Sequence, residues 1–182
     1  MDDEDDGAAG NQGGSENRDD VGCRPPGDSD LVNLCRRLNA ENAKYLVIGG
    51  FAIIHAGYGR FTEDIDLIIE TDLDNEAKVY RALESLPDQA VKELDPGDVA
   101  KYTVVRVADE IMVDLMRSAC GIDYAEASKD MIIREIEGVP IPFASPRLLW
   151  RMKAKTHREK DAPDLVFLRE YFKARGEQPP EV

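Results

Sequence analysis

The sequence predicts an α+β fold, in which helices flank a mixed, mostly antiparallel sheet and further helices follow at the C-terminus. Two pairs of β-rich runs, at 102–116 and 132–143, are each joined by a tight turn, as in antiparallel hairpins. Apolar residues at helical spacing lie before, between and after these pairs. Because 42% of the 182 residues are hydrophobic, the chain can bury a core of its own.

The N-terminal segment differs in composition from the rest of the chain. Residues 1–30 hold ten acidic residues and two arginines, and so contribute −8 of the net charge of −14. With few apolar side chains, this segment cannot offset the entropy cost of ordering. We therefore expect a disordered acidic tail at 1–28 and a single domain at 29–176, with its core at about 29–144 and C-terminal helices at 145–176.

Helix caps and short apolar runs mark five elements in the first half of the chain. The predicted elements are a helix capped by Ser29 or Asp30, a strand at Tyr45–Ile48, a helix at Phe51–Ala56, a strand at Asp64–Ile69 and a helix capped by Asp74. The stretch 87–97 has no comparable pattern and is expected to be a loop.

The second half contains the hairpins and the C-terminal helices. The predicted strands are Tyr102–Val107, Ile111–Met116, Ile132–Ile136 and Val139–Phe143. Because proline cannot donate a hydrogen bond to a neighbouring strand, Pro140 and Pro142 place the last strand at a sheet edge. Ser145 and Asp161 can cap the two C-terminal helices.

Asp64 and Asp66 indicate a metal site. Residues two apart on a strand point to the same face, so these carboxylates would lie close together and repel each other. A hard divalent cation such as Mg²⁺ or Mn²⁺, which takes oxygen ligands, is the natural counter-charge. The alternative is that both are ordinary solvated carboxylates on an exposed strand.

Asp114 lies in the most apolar strand of the second half, where an unpaired charge is costly. If this strand neighbours that of Asp64, a third carboxylate joins the first two, and three carboxylates can hold two metal ions. The alternative is an Asp at a strand end facing solvent. The amino-acid pattern around Asp114 does not decide between these two interpretations.

Gly49 and Gly50 follow a buried strand and precede a helix. Glycines there let a ligand approach the backbone, and the free N–H groups of a helix start favour an anion. Together with the three aspartates they predict a phosphate-and-metal site, without specifying the phosphate reaction.

These residues carry a resemblance to a known family. The string LVIGGFAIIHAGYGRFTEDIDLII, followed by Asp114, resembles the DNA polymerase β-like nucleotidyltransferase superfamily, and more narrowly its small prokaryotic AbiEii toxin-like members. Arg60 and Thr62 match the Arg-x-Thr that often precedes the acidic pair in that group. The string LLWRMKAKTHREKDAPDLVFL is similar to the closing motif of the group, at Lys153, Arg158, Lys160, Asp161 and Asp164.

The resemblance implies a nucleotidyltransferase fold in which Asp64, Asp66 and Asp114 hold Mg²⁺ or Mn²⁺ and carry out catalysis. It also implies a nucleotide-binding set comprising Gly49, Gly50, Arg60, Thr62, Lys153, Arg158 and Asp161. Many superfamily members have Gly-Ser where this chain has Gly49-Gly50, so any phosphate contact from position 50 must come from the backbone.

The expected activity is transfer of a nucleoside monophosphate from an NTP to a hydroxyl on a protein, a tRNA end or a small molecule. One alternative is a catalytically weak nucleotide-binding component of a toxin–antitoxin pair, with a cognate toxin or antitoxin as partner. A metal-dependent phosphohydrolase is a third interpretation.

Targeting patterns bear on the compartment. No run of eighteen apolar residues and no basic-then-apolar leader occurs in the sequence. The three scattered cysteines, with no C-x-x-C spacing, favour a reducing environment. We expect a cytoplasmic protein without a membrane association.

Overall fold

A computed structural model of the chain describes residues 22–182. Residues 1–21 of the predicted acidic tail therefore lie outside the described residues. Within its last part, the Arg24 backbone N–H donates to the Glu110 carbonyl at 2.9 Å.

Helices occupy both ends of the domain and the connections between strands. The α-helices are α1 (Asp28–Ala40), α2 (Gly49–Ala56), α3 (Leu73–Leu83), α4 (Asp98–Lys101), α5 (Tyr124–Ala127), α6 (Pro146–Lys153) and α7 (Ala162–Lys173). Short 3₁₀ turns lie at Ala90–Glu93, Ser128–Asp130 and Glu159–Asp161. The first of these turns lies within the stretch 87–97, which is predicted to be a loop, and α4 begins directly after it.

Two sheets contain all the strands of the described residues. The strands are β1 (Tyr45–Val47), β2 (Asp64–Ile69), β3 (Val105–Ala108), β4 (Met112–Met116), β5 (Ser118–Ala119), β6 (Ile122–Asp123), β7 (Met131–Ile136) and β8 (Val139–Ala144). The main sheet has the order β3-β4-β2-β1-β8-β7, with β2–β4 and β1–β8 parallel and the other pairs antiparallel. The predicted mixed, mostly antiparallel sheet is confirmed, as are both hairpins.

The position of the last strand differs from the prediction. The edge strand is β7, whereas β8, which contains Pro140 and Pro142, lies between β7 and β1. Prolines are tolerated there because β1 pairs with β8 only through Val47 and Phe143. The part of β8 that contains the two prolines therefore does not pair with β1, so no hydrogen bond from a backbone N–H is required there.

Two predicted helix caps are also wrong. Helix α1 begins at Asp28 with Gly27 at the cap position, and the Asp30 carboxylate accepts from the Gly27 N–H at 2.8 Å. Helix α3 is capped by Asp72, whose carboxylate accepts from the Asn75 N–H at 2.9 Å. Asp74 lies inside the first turn and binds Lys78 instead. Ser145 does cap α6, through the Leu148 N–H, whereas Asp161 stands at the cap position of α7 without a side-chain cap hydrogen bond.

The core lies between the sheet and the helices packed on it. Helix α1 packs against α3 and β8, while α2 packs against β2 and α6, and α6 packs against α7. The largest fully buried side chains come from both the sheet and the helices, including Leu31, Leu46, Ile53, Leu67 and Phe172. Helix α2 is therefore held firmly over the start of β2. Within residues 22–182, every helix is too short or too polar to cross a bilayer.

Candidate active site

The parallel pairing of β2 with β4 brings the three predicted aspartates together. In this register Asp66 lies directly opposite Asp114, and Asp64 lies opposite Met112. Ile65 and Leu67 point into the core, so Asp64 and Asp66 share the other face. One carboxylate oxygen from each of the three aspartates lies within 4.8 Å of the others. The sequence did not decide whether β2 and β4 are neighbours, and the structure shows that they are.

This cluster is electrostatically strained. Burial, followed by the charges of Asp64 and Asp114, raises the pKa of Asp66 to about 7. Burial and then the charge of Asp114 raise the pKa of Asp64 as well. Three acidic groups at this separation call for a positive counter-charge, and an all-oxygen donor set suits a hard divalent cation.

Arg106 contacts this cluster, and the sequence reasoning missed it. Its Nε lies 2.9 Å from Asp114 Oδ1 and its Nη2 lies 3.0 Å from Asp114 Oδ2, a bidentate pair. The β3–β4 register places Arg106 directly opposite Asp114. Counting back from the predicted turn at 108–110 would have paired Arg106 with Met112 instead, because the observed turn lies one residue later, between Ala108 and Met112.

The glycine turn lies against the acidic cluster. Gly49 begins α2 with φ +61°, a conformation that favours glycine. A Cβ on Gly49 would lie 1.9 Å from Asp66 Oδ2, so only glycine leaves room for that carboxylate. The first turn of α2 contains no acidic residue, and its helix-start N–H groups lie at the same site.

The C-terminal motif forms a buried ion network beside the cluster. Lys153 Nζ lies 2.8 Å from Asp161 Oδ1 and 3.0 Å from Asp164 Oδ2. Arg158 Nε binds the other oxygen of Asp161 at 2.8 Å, and Arg60 Nε lies 2.9 Å from Asp164 Oδ1. Both aspartates are buried, and they hold three cations in place.

The ionisation of Asp161 follows from these contacts. Burial opposes its charge, but hydrogen bonds from Lys153, Thr156 and Arg158 outweigh that effect and lower its pKa to about 2. Asp161 therefore carries its charge at neutral pH and holds Lys153 and Arg158 beside the cleft.

A single cleft of about 920 Å³ contains all ten predicted site residues. They are Gly49, Gly50, Arg60, Thr62, Asp64, Asp66, Asp114, Lys153, Arg158 and Asp161. Residues that the prediction did not include also line the cleft, among them Arg106, Phe61, Val104 and Lys160. Asp164 lies beneath it. The cleft has an acidic side on β2 and β4 and a basic side from the C-terminal motif.

The chain has the fold of a solved nucleotidyltransferase-like structure, with a mixed sheet flanked by helices. A candidate nucleotidyltransferase from Thermotoga maritima has a similar structure, with a TM-score of 0.50 and 19% identity over 80% of this chain and 91% of that chain. The predicted fold class is thereby confirmed.

Two other solved structures are also similar. An antigenic nucleotidyltransferase-like protein from Paracoccidioides brasiliensis has a TM-score of 0.49 and 19% identity, over 78% of this chain and 74% of that one. The antibiotic-resistance factor ANT(2″)-Ia has a TM-score of 0.44 and 19% identity, over 82% of this chain and 95% of that one. No protein-family model matches the sequence, and no curated protein matches it significantly.

Proposed function

We propose that the protein is a metal-dependent nucleotidyltransferase that moves a nucleoside monophosphate from an NTP to an acceptor hydroxyl. The observation that carries this proposal is the convergence of three carboxylates and a helix-start glycine turn in one cleft. The narrower resemblance to AbiEii toxin-like members supports a place in a toxin–antitoxin pair as the biological setting.

Asp64, Asp66 and Asp114 would hold Mg²⁺ or Mn²⁺. The donor set fits, because all three groups offer oxygen and lie within 4.8 Å of one another. The close approach of Gly49 to Asp66 also holds that carboxylate on the cleft side. When bound, such an ion would neutralise phosphate charge and lower the pKa of the acceptor hydroxyl.

The triphosphate would lie between the glycine turn and the basic side of the cleft. Helix-start N–H groups at Gly49 and Gly50 suit a phosphate oxygen. Arg60 and Arg158 are each anchored to a buried aspartate and line the cleft, so their charges are held in position. Lys153 Nζ donates to Asp161 and lies 3.0 Å from Asp164, and because Lys153 also lines the cleft its charge would face a phosphate there.

The chemistry is an in-line displacement. The acceptor oxygen forms a bond to the α-phosphorus while the bond to the bridging oxygen of the β-phosphate breaks, and pyrophosphate leaves. Asp114 would accept the proton of the acceptor hydroxyl on a carboxylate oxygen, and Arg106 holds that carboxylate from the neighbouring strand. Such a reaction depends mostly on positioning and charge neutralisation.

The test is incubation with Mg²⁺ and each α-labelled NTP, with and without cell extract. Transfer predicts a labelled protein, RNA or small molecule together with pyrophosphate. Release of labelled NMP without an acceptor would instead identify a hydrolase, and binding without turnover would identify a nucleotide-binding component. Heat-treated and RNase-treated extracts separate the acceptor classes.

A further inference from the structure

Position 50 has no room for a side chain, although its backbone conformation would allow one. A Cβ on Gly50 would lie 2.2 Å from Thr62 Oγ1 and 2.6 Å from Thr62 Cβ. The φ angle of Gly49 is positive, whereas that of Gly50 lies outside the left-handed region. Space alone therefore requires glycine at position 50, and Thr62 occupies that space.

Thr62 lies where a side chain of residue 50 would otherwise be. It is 8% exposed and lines the cleft beside the start of α2. Within residues 22–182 its hydroxyl makes only long hydrogen bonds, 3.3 Å to the Asp64 carbonyl and 3.5 Å to Asp64 Oδ1. A phosphate oxygen in the cleft would offer this hydroxyl a stronger, charge-assisted hydrogen bond.

We infer that the Thr62 hydroxyl is the side-chain donor to the phosphate bound at the Gly49–Gly50 turn, and that residue 50 is glycine because this hydroxyl takes its place. The helix-start N–H groups and the hydroxyl then converge on one phosphate from two segments of the chain. Arg60 Nη2, which would lie 3.3 Å from a Cβ at position 50, borders the same space. This inference rests on the proposed function, since it assigns a ligand contact within the same cleft.

The first test removes the hydroxyl while keeping the shape of the side chain. Calorimetry measures the affinity of wild type and Thr62→Val for Mg²⁺-tripolyphosphate and for Mg²⁺-ATP. We expect about a tenfold loss for both ligands, the size of one charged hydrogen bond. Thr62→Ser should recover most of this loss. Thr71→Val, a matched change outside the cleft lining, should have no effect.

A second readout distinguishes phosphate binding from the positioning of Asp64. If the hydroxyl serves the phosphate, Thr62→Val leaves the Mn²⁺ affinity of the protein without phosphate unchanged. A weaker Mn²⁺ affinity together with unchanged tripolyphosphate affinity would mean that Thr62 orients Asp64, and the inference would be overturned.

The second test moves the hydroxyl from one segment to the other. Gly50→Ser alone should clash with Thr62 and weaken binding at least as much as Thr62→Val. Because Thr62 Cβ itself lies too close, the partner change must be Thr62→Gly, since alanine keeps that atom. The double variant Gly50→Ser/Thr62→Gly should bind tripolyphosphate more tightly than Thr62→Gly alone. Circular dichroism and melting curves establish that each variant is folded.

The outcomes separate this inference from the proposed function. Wild-type affinity in Thr62→Val would overturn the inference and leave nucleotidyl transfer standing. Weakened binding in Thr62→Val supports the inference even if wild type transfers nucleotide to no acceptor. A wild-type protein that binds neither tripolyphosphate nor ATP would overturn both.

Discussion

The guanidinium of Arg106 binds both carboxylate oxygens of Asp114, at 2.9 and 3.0 Å, from the directly opposite position on the neighbouring strand. Asp114 is almost fully buried, whereas more than half of the Arg106 side chain is exposed. A bidentate pair of this kind fixes the orientation of the carboxylate as well as its charge. In the protein without metal, Arg106 is thus a counter-ion of the acidic cluster.

We expect Arg106→Gln to bind Mn²⁺ about tenfold more tightly than wild type, because a competing positive charge beside the cluster is lost. Nucleotidyl transfer should nevertheless slow, since Asp114 loses its orientation. Calorimetry with Mn²⁺ and a single-turnover assay measure the two effects separately. Arg134→Gln, on the far edge strand, is the matched control. Weaker Mn²⁺ binding in Arg106→Gln would show that the arginine supports the metal site instead of competing with it.

Asp66→Asn should reduce nucleotidyl transfer by at least about 10²–10³-fold while the fold is retained. In the absence of metal this variant should melt above wild type, because one of three mutually repelling carboxylates is removed. Differential scanning calorimetry with and without Mn²⁺ measures the melting temperature. Asp88→Asn, an exposed change outside the cleft, should alter neither quantity. Retained transfer in Asp66→Asn would remove this residue from the mechanism.

The ionised carboxylate of Asp161 should contribute to the free energy of unfolding, and this contribution should be lost in acid. Its folded pKa of about 2 lies below the ordinary value of 3.8, so the unfolded chain binds its proton more readily. The contribution, on the order of 1–2 kcal/mol, is present above about pH 4 and is lost as the pH falls towards 2. Urea unfolding of wild type and Asp161→Asn across this range measures the difference. Parallel curves for the two proteins would contradict the assignment.

Lys153 and Arg158 contact the same aspartate but should differ in their effect on stability. Lys153 is 7% exposed and is the buried cation that Asp161 and Asp164 share, so its loss leaves these buried carboxylates only the partly exposed Arg158 and Arg60 as partners. Lys153→Met should therefore destabilise the fold by about 3–5 kcal/mol. Arg158 has a side chain that is 54% exposed, so Arg158→Met should lower the free energy of unfolding by only about 0–1 kcal/mol.

Both substitutions should raise the KM for NTP if these cations face the triphosphate. Steady-state kinetics at a temperature where both variants are folded measures this separately from stability. An unchanged KM in Lys153→Met would make Lys153 a purely structural residue, and the same result in Arg158→Met would place the triphosphate elsewhere in the cleft.

Local patterns were enough to predict much of the fold. Alternation along Asp64–Ile69 placed Asp64 and Asp66 on one face, and the hairpin signals identified β3–β4 and β7–β8. A predicted helix cap was wrong where two nearby residues are both suited to the cap position. Asp72 and Asp74 can both cap a helix, and only the extended backbone of Asp72 decides between them. The two prolines were placed at an edge because their sequence does not reveal how short the pairing with β1 is.

Local sequence patterns were sufficient to select the candidate site: two aspartates on one strand face, a glycine turn before a helix, and a basic C-terminal motif. Such features depend on the backbone period and on helix-start geometry, which are local properties. The parallel pairing of β2 with β4, which brings Asp114 opposite Asp66, and the β3–β4 register, which brings Arg106 opposite Asp114, are known only from the tertiary structure. The tertiary structure also decided that Thr62 fills the space beside Gly50. Pairing between distant segments follows from how the whole core packs, and no local pattern specifies it.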